Sequence, residues 1–148
     1  MTSSSFTAAL FNLFNKGGPY TEEQLAEIYS KGIRFTDPAH SLHGITELCE
    51  YLNHQYSNVQ HCKFTATGEW SSDGNLFLQW DMELQHPKLN RSKIIIVNGL
   101  SHLQCELENT GEMRIVMHRD FFDLGQLLYE NVPLLGAINR RVKRGMSL

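Results

Sequence analysis

The stretch KFTATGEWSSDGNLFLQWDMEL, residues 63–84, indicates two long strands joined by a tight turn. Apolar side chains at the even positions from Leu76 to Leu84 alternate with mostly polar ones, which is typical of a strand with one buried face. Asp73-Gly74 lies at the centre of the turn, and this dipeptide favours a hairpin because both residues accept a positive φ. The stretch therefore predicts an antiparallel hairpin.

Two more long strands follow the hairpin. Lys93–Leu107 is much longer than the roughly five or six residues of a typical strand, and Gly99 in its middle predicts a bulge or a sharp bend. Met113–Phe122 is the last predicted strand. Because long strands with a glycine bend curl, we expect a strongly curved antiparallel sheet with a concave face.

Helical patterns precede these strands. Apolar residues at i, i+4, i+7 and i+8 from Phe6 predict a first helix, which Gly17-Gly18-Pro19 ends. Thr21 and Gln24 have the spacing of a capping box, and the apolar stripe of this second, short helix extends to Tyr29.

The chain then changes its pattern twice more. Ile33–Gly44 contains an Asp-Pro pair and predicts a short strand followed by a loop, and the apolar spacing from Ile45 to Tyr56 predicts a third helix. After the last strand, Asp123 can cap a helix over Leu124–Tyr129, and Pro133 suits the first turn of another. A C-terminal helical tail is therefore predicted.

The totals suit one domain over residues 1–148, because 148 residues allow a sizeable core and no linker or repeat interrupts them. Helices followed by a meander of strands indicate the α+β class. We predict that the N-terminal helices pack in the concave face of the sheet, as a cone with an internal pocket. Such cavities are common ligand sites.

Charge and cysteine usage narrow the class of protein further. A net charge of −3 gives no general attraction to nucleic acid or anionic membrane, so neither is expected as a partner. The sequence lacks an apolar run near the ~20 residues of a membrane span and a typical signal peptide. Three cysteines without a CxxC pair favour a reduced, cytoplasmic protein. A basic cluster at residues 140–144 complements a helix end, with nucleic-acid or membrane contact as the alternative.

Three features together resemble the SnoaL-like proteins of the nuclear transport factor 2 superfamily, which includes ketosteroid isomerases and limonene epoxide hydrolase. They are YSKGIRFTDPAHSLHG at residues 29–44, the order of helices before long strands, and HRDFFDLGQLLYENVPLLG at residues 118–136. The resemblance implies a conical fold with an interior pocket and a homodimer paired through the outer sheet face. Members of the superfamily include isomerases, cyclases, hydrolases and non-catalytic domains, so no single activity follows.

Asp37 is the first candidate catalytic residue. Its place before Pro38 matches the general base of the ketosteroid isomerases, as the resemblance implies. A carboxylate that faces an apolar cavity can exchange protons near neutral pH, because desolvation disfavours its charged form. The alternative is a turn aspartate that caps backbone amides before the proline.

His118 and Asp120 form the second candidate group. Residues at i and i+2 of a strand point to the same face, so both side chains reach the pocket if that face is concave. The resemblance supports Asp120, because SnoaL-type cyclases use a last-strand aspartate as acid and base. In the alternative, both side chains point outward and are solvated or pair with Arg114 and Arg119.

The resemblance also implies an oxyanion hole that this sequence lacks. The tyrosine of the ketosteroid isomerases would fall near Phe11 or Phe14. Their protonated aspartic acid would fall near Ser101, His102 or Leu103, so Ser101 is a candidate ligand contact. Loss of these groups removes a large electrostatic contribution to steroid isomerisation and argues against that reaction.

The remaining candidate ligand contacts are aromatic residues and a histidine. Trp80 and Trp70 are predicted to line the cavity, with an ordinary core position as the alternative for both. Tyr29 and His43 lie near the Asp37 loop in sequence and are candidates for the mouth of the pocket, with a surface position as the alternative. The seven histidines make no HxH or HxxxH pair, and no phosphate loop occurs, so no metal and no cofactor are expected.

Two functions follow from these residues. The first is a protein that binds a small, largely apolar carbonyl compound and acts as a cofactor-independent isomerase, cyclase or hydrolase, with Asp37 and Asp120 exchanging protons and His118 assisting. The second is a non-catalytic ligand-binding or dimeric assembly domain. In that case the outer sheet face, with Phe77, Ile94 and Ile96, would be a self-association surface.

Overall fold

The computed structural model describes residues 3–125. Its elements in chain order are α1 (Ser3–Lys16), α2 (Glu22–Ala26), β1 (Tyr29–Thr36), β2 (Ser41–His43), α3 (Ile45–Gln55), β3 (His61–Ser72), β4 (Asn75–Gln85), a 3-10 turn (Asn90–Ser92), β5 (Ile95–Leu107) and β6 (Met113–Phe122). The predicted helical tail beyond residue 125 and the basic cluster at residues 140–144 lie outside the described residues.

The six strands form one curved, unclosed sheet in the order β2-β1-β6-β5-β4-β3, with the three helices packed on it. This confirms the predicted α+β class. One pairing differs from the predicted antiparallel sheet, because β1 runs parallel to β6. Only consecutive strands joined by short turns must be antiparallel, and most of the chain separates β1 from β6.

The hairpin of β3 and β4 follows the sequence pattern. Asp73 and Gly74 both have positive φ, 49° and 78°, as a type I′ turn requires. The even-numbered residues of β4 from Leu76 to Leu84 are buried against the helices. Each large apolar side chain buried in this way stabilises the fold by about 1.5–3 kcal/mol.

Gly99 does not mark a bulge, contrary to the prediction. It pairs in regular register with Trp80 on one side and Phe122 on the other, and the bulge of β5 lies between Gln104 and Cys105. The glycine is required because the Trp80 ring lies over it. A Cβ atom at this position would meet the Trp80 ring at 2.2 Å.

Trp70 lies on the outer face of the sheet, so the prediction that it lines the cavity is wrong. A register shift between Ala66 and Gly68 inserts one extra residue in β3, so even-numbered side chains after it point to the opposite face of the sheet. Trp70 is therefore opposite Phe77, on the face away from the helices, and 56% of it is exposed.

The helices cover the concave face. Phe6 and Leu10 of α1 and Leu48 and Leu52 of α3 are buried. The predicted capping box of α2 is present, but the helix ends at Ala26.

Tyr29, which the apolar pattern assigned to the stripe of α2, begins β1 instead. It pairs with Ile115 of β6, and the Ile115 amide donates to the Ile28 carbonyl at 2.9 Å. The ladder to β6 thus ends the helical segment early. β1 is longer than the predicted short strand, and the expected loop up to Gly44 contains β2.

Candidate functional site

A cavity of about 530 Å³ lies between the helices and the concave face of the sheet. Phe11 and Phe14 of α1, Leu52 of α3, and Met82 and Leu84 of β4 are among its apolar lining residues. This volume falls in the range of roughly 300–1,000 Å³ that is usual for small-molecule sites. The cavity is therefore large enough for an organic ligand of moderate size.

Five side chains form a continuous chain of hydrogen bonds along one wall of this cavity. The Trp80 Nε1–H donates to Ser101 Oγ at 2.9 Å, and the Ser101 hydroxyl donates to Asp120 Oδ1 at 2.5 Å. His118 Nε2 lies 2.7 Å from the same Asp120 oxygen, and His118 Nδ1 lies 2.8 Å from the Tyr29 hydroxyl. Apart from Asp120, the members of this chain are buried.

The register of the strands brings these residues together. Ser101 of β5 is paired with Asp120 of β6, and His118 of β6 is paired with Phe35 of β1. The Phe35 ring also packs on the His118 imidazole, with 4.8 Å between ring centroids. The polar chain is thus held by backbone ladders and by an aromatic contact rather than by a flexible loop.

The donors and acceptors of this chain select one tautomer of a neutral His118 ring. An ionised Asp120 only accepts hydrogen bonds, so His118 Nε2 carries the hydrogen. The Nδ1 atom of a neutral imidazole then accepts from the Tyr29 hydroxyl. Burial, followed by the nearby Asp120 charge, raises the pKa of Tyr29 well above its ordinary value, so that hydroxyl keeps its proton.

Asp120 has one oxygen bonded and one oxygen open. Oδ1 accepts from both Ser101 and His118, whereas no donor within residues 3–125 meets Oδ2. The side chain lines the cavity and is 20% exposed. It also lines a shallower cleft that it shares with Asp37 and Arg119. A ligand in the cavity can therefore reach this carboxylate.

Asp37 lines the same cavity, but both of its oxygens are bonded. Oδ1 accepts from the backbone amides of Ala39 and His40 at 2.8 and 2.7 Å, and the His40 ring lies 3.3 Å away. Oδ2 accepts from the Tyr51 hydroxyl in a short hydrogen bond. The turn-capping role and the position facing the cavity, which the sequence left as alternatives, therefore occur together.

Tyr51 and Tyr56 of the α3 segment also line the cavity, and the sequence analysis did not select either as a site residue. Burial, followed by the hydrogen bond to Asp37, raises the pKa of Tyr51 well above its ordinary value. Burial also raises the pKa of Tyr56, with nearby Cys62 and Asp120 adding to the effect. Both phenols therefore stay protonated.

The Tyr56 hydroxyl has no hydrogen-bond partner among the described side chains. Helical spacing places Tyr56 on the inward stripe, four residues after Leu52, but spacing does not show whether an inward hydroxyl meets a cavity or packed atoms. The helical spacing was therefore visible in the sequence, but it was not enough to identify Tyr56 as a site residue.

The other predicted site residues divide into two groups. Trp80 and Ser101 line the cavity. Tyr29 is buried behind His118, to which it is hydrogen-bonded, and is not among the lining residues. His43 is exposed on β2 and is not among the lining residues, so the structure does not bring it to the mouth of the pocket.

The alternative for His118 and Asp120 was that both point outward and are solvated or pair with Arg114 and Arg119. Neither residue is paired with an arginine of the described part of the chain. Arg114 instead donates to the Ala26 carbonyl and forms an ion pair with Glu112 at 2.5 Å. The guanidinium of Arg119 lies over the Phe121 ring.

Within residues 3–125, no group of three or more histidine, cysteine, aspartate or glutamate side chains is placed to hold a metal ion. The helices of this part of the chain are also all too short or too polar to cross a membrane.

Comparison with known proteins gives a match at the level of structure. No family model and no curated protein matches the sequence. Among solved structures, a ketosteroid isomerase-like protein from Catenulispora acidiphila, in complex with trimethylamine, has a TM-score of 0.71 and 11% identity over 89% of this chain and 95% of that chain. The chain has the SnoaL-like, ketosteroid isomerase-like fold.

Two further structures agree with this fold. An NTF2-like protein of unknown function from Burkholderia pseudomallei has a TM-score of 0.71 and 13% identity over 89% of this chain and 98% of that chain. A protein from Shewanella denitrificans described as a SnoaL-like polyketide cyclase has a TM-score of 0.67 and 14% identity over 84% of this chain and 92% of that chain. The SnoaL-like fold predicted from the sequence is thus confirmed, and at such low identities the likeness extends to the fold alone.

Proposed function

We propose that this protein binds a small, largely apolar carbonyl compound in the cavity and acts on it by acid–base chemistry, as cofactor-independent isomerases and cyclases do. The observation that carries the proposal is the open Oδ2 atom of Asp120, which lies beside a buried histidine on the wall of an apolar cavity. A carboxylate in such a place can meet an acidic C–H bond with little competing water.

In the proposed step, Asp120 Oδ2 takes a proton from the carbon next to the carbonyl. The electron pair of the broken C–H bond forms a C=C bond, and the carbonyl electrons move to the oxygen to give an enolate. If the compound has a second C=C bond next to that carbon, the enolate is conjugated with it. Return of the proton from Asp120 to the far carbon of that bond then re-forms the carbonyl, shifts the C=C bond into conjugation with it and restores the carboxylate. His118, which donates to Oδ1, stabilises the charged form of Asp120 before and after this exchange.

An enolate oxygen needs a hydrogen-bond donor, and the unpartnered Tyr56 hydroxyl is the donor that the cavity offers. Its raised pKa keeps the proton on the phenol. Tyr56 would therefore replace the oxyanion groups that the sequence lacks near Phe11 and Ser101. Asp37 would serve as the second proton-exchanging group through Oδ2, the oxygen it shares with Tyr51.

Deuterium exchange tests this chemistry without knowledge of the natural substrate. The probe is α-tetralone in D₂O, and proton NMR measures the loss of the signal of the hydrogens next to the carbonyl. The wild-type protein should accelerate the exchange over buffer, and Asp120→Asn should remove most of the acceleration. Asp81→Asn is the matched control, because Asp81 lies on the outer face and bonds only Asn98 among the described residues.

An equal rate for wild type and Asp120→Asn would contradict the assignment of Asp120. No acceleration by the wild type would leave ligand binding without the proposed chemistry, as in the non-catalytic alternative. Mass spectrometry of small molecules that co-purify with the protein would then identify what the cavity holds.

A second proposal concerns assembly. We propose that two copies pair through the outer face of the sheet, at a patch formed by Trp70, Phe77, Ile96, Leu100 and Phe121, which we call the outer patch. Trp70, Ile96 and Phe121 are 56%, 52% and 44% exposed, which is unusual for several large apolar side chains on one face of a sheet. Ile94, just before β5, is also exposed.

Sedimentation velocity at micromolar concentration tests this pairing. Wild type should sediment as a dimer, and Ile96→Glu should shift it to monomer because a charge would be buried in the interface. Leu107→Glu is the control, since Leu107 is equally apolar and 68% exposed at the far end of β5. A wild-type monomer would contradict the proposal. The cytoplasmic location stays a prediction, which fractionation of cells would check.

A further inference from the structure

The exposure of the lining residues shows where the cavity opens. The lining residues near His118 and Ser101 are buried, whereas His54, Ser57 and Asn58 at the end of α3 are exposed. Lys88, in the loop after β4, is also an exposed lining residue. The mouth of the cavity therefore lies between the end of α3 and the loop after β4.

Hydrogen bonds hold these two segments against each other. The Gln60 amide donates to the Gln85 carbonyl at 2.9 Å, and the Gln85 side chain donates to the Ser92 carbonyl at 2.8 Å. The Ser92 hydroxyl donates to the Gln60 side chain at 2.8 Å. The mouth is thus a built feature of the fold, with both of its sides fixed.

The polar groups at the mouth differ in sign from those near His118, where the carboxylates of the cavity lie. Lys88 has no carboxylate partner among the described residues, and the Lys88 amide donates to His86 Nδ1 at 3.0 Å, which leaves Nε2–H of His86 as a free donor. His54 adds a second imidazole. The carboxylates among the lining residues are Asp37 and Asp120, and both lie at the other end.

The two ends of the cavity lie far apart. His86 is six positions after Trp80, just beyond the end of β4, which corresponds to roughly 20 Å along the strand, and the inward side chains between them are Met82 and Leu84. A ligand that fills the cavity thus meets carboxylates at one end, apolar carbon in the middle and an unpaired ammonium at the mouth.

We infer that the natural ligand carries a carboxylate at the end opposite its carbonyl group, and that Lys88 and His86 bind this carboxylate at the mouth. The inference rests on the proposed function and names its substrate class, an amphipathic oxo acid. The negative charges of Asp37 and Asp120 repel an anion from their end of the cavity, so the charge also sets the orientation of the ligand.

The position of the anion follows from the two sides of the mouth. The C-terminal end of α3 carries partial negative charge, which disfavours an anion there. The loop after β4 carries the ammonium of Lys88 and the free donor of His86. Lys88 is the one lysine or arginine among the described lining residues, so the cavity offers one ammonium at its mouth, which matches one carboxylate.

Binding of two ligands with the same apolar body tests the inference. Isothermal titration calorimetry compares octanoate with octanol for wild type, Lys88→Glu and Lys31→Glu. Lys31 is exposed on β1 outside the cavity, so Lys31→Glu changes the net charge equally. We expect octanoate to bind wild type more tightly than octanol, and Lys88→Glu to weaken octanoate about fivefold or more while octanol is unchanged.

Equal affinities of octanoate and octanol, with no effect of Lys88→Glu, would overturn the inference and leave the apolar cavity as a binding site. The same loss of octanoate binding in Lys31→Glu would also overturn it, because the effect would then come from overall charge. If neither ligand binds wild type, the proposed ligand-binding function fails together with this inference.

Discussion

Two carboxylates share one cavity, and their surroundings differ. Asp37 lies in a loop, and its oxygens are bonded by amides two and three residues away and by Tyr51. Asp120 lies in a central strand and is bonded by Ser101 and His118, which leaves one oxygen open. The comparison shows that two carboxylates in one cavity can differ in access, because Asp37 is bonded at both oxygens and Asp120 at one.

The largest expected effect is the difference in catalysis between variants of Asp120 and variants of Asp37. The sequence pattern makes Asp37 the best single candidate, whereas the contacts favour Asp120. In the α-tetralone exchange assay, we expect Asp120→Asn to lower the rate about 10²–10⁴-fold, the usual contribution of a general base. Asp37→Asn should lower it less than about tenfold, which is less than about 1.4 kcal/mol of barrier, because exchange at one carbon needs a single base.

The reverse order of these two losses would assign the chemistry to the Asp37 loop. Circular dichroism at matched concentration is the control for folding. The asparagine in Asp120→Asn still accepts from Ser101 and His118, so we expect the fold to be kept.

The next largest effect concerns stability, to which we expect Asp37 to contribute more than Asp120. Asp37→Ala removes the acceptor for the Ala39 and His40 amides and leaves the Tyr51 hydroxyl without its partner. We expect the free energy of unfolding in urea to fall by about 1–2 kcal/mol. Asp37→Asn retains a side-chain oxygen for the two amides and should lose less than half of that. An unchanged midpoint for Asp37→Ala would show that water replaces these bonds without cost.

The fold could be predicted from the sequence wherever a local pattern determines it. Alternation along β4, the Asp73-Gly74 turn and the capping box of α2 depend on neighbours in the chain, and the structure contains all three. The parallel pairing of β1 with β6 could not be predicted, because no local pattern encodes a contact between residues almost ninety positions apart, such as Tyr29 and His118.

The site was predictable to the same extent. The i, i+2 spacing of a strand places His118 and Asp120 on one face, and the structure adds which face it is. Trp70 was assigned to the wrong face, because the register shift after Ala66 leaves no mark in the alternation. Tyr56 required knowledge of which inward side chains leave space unfilled, and that depends on the packing of α1 and α3 together.

The smallest expected effect is on the exchange rate, in variants of the two tyrosines that bond His118 and Asp37. Tyr29→Phe removes the donor to His118 Nδ1 and leaves a buried ring nitrogen without its partner, so the exchange rate should fall about tenfold or less. Ligand affinity should not change, because Tyr29 does not line the cavity. Tyr51→Phe, as the matched variant at Asp37, should change the rate less.

Nitrogen NMR of the His118 ring provides the measurement that a purely structural role of Tyr29 would not move. In wild type, the chemical shifts should show a hydrogen on Nε2 and none on Nδ1. In Tyr29→Phe, Nε2 should keep its hydrogen because Asp120 still accepts it, and the chemical shift of Nδ1 should move because its donor is lost. An unmoved Nδ1 shift, together with a tenfold loss of rate, would mean that Tyr29 acts through packing and not through its hydroxyl.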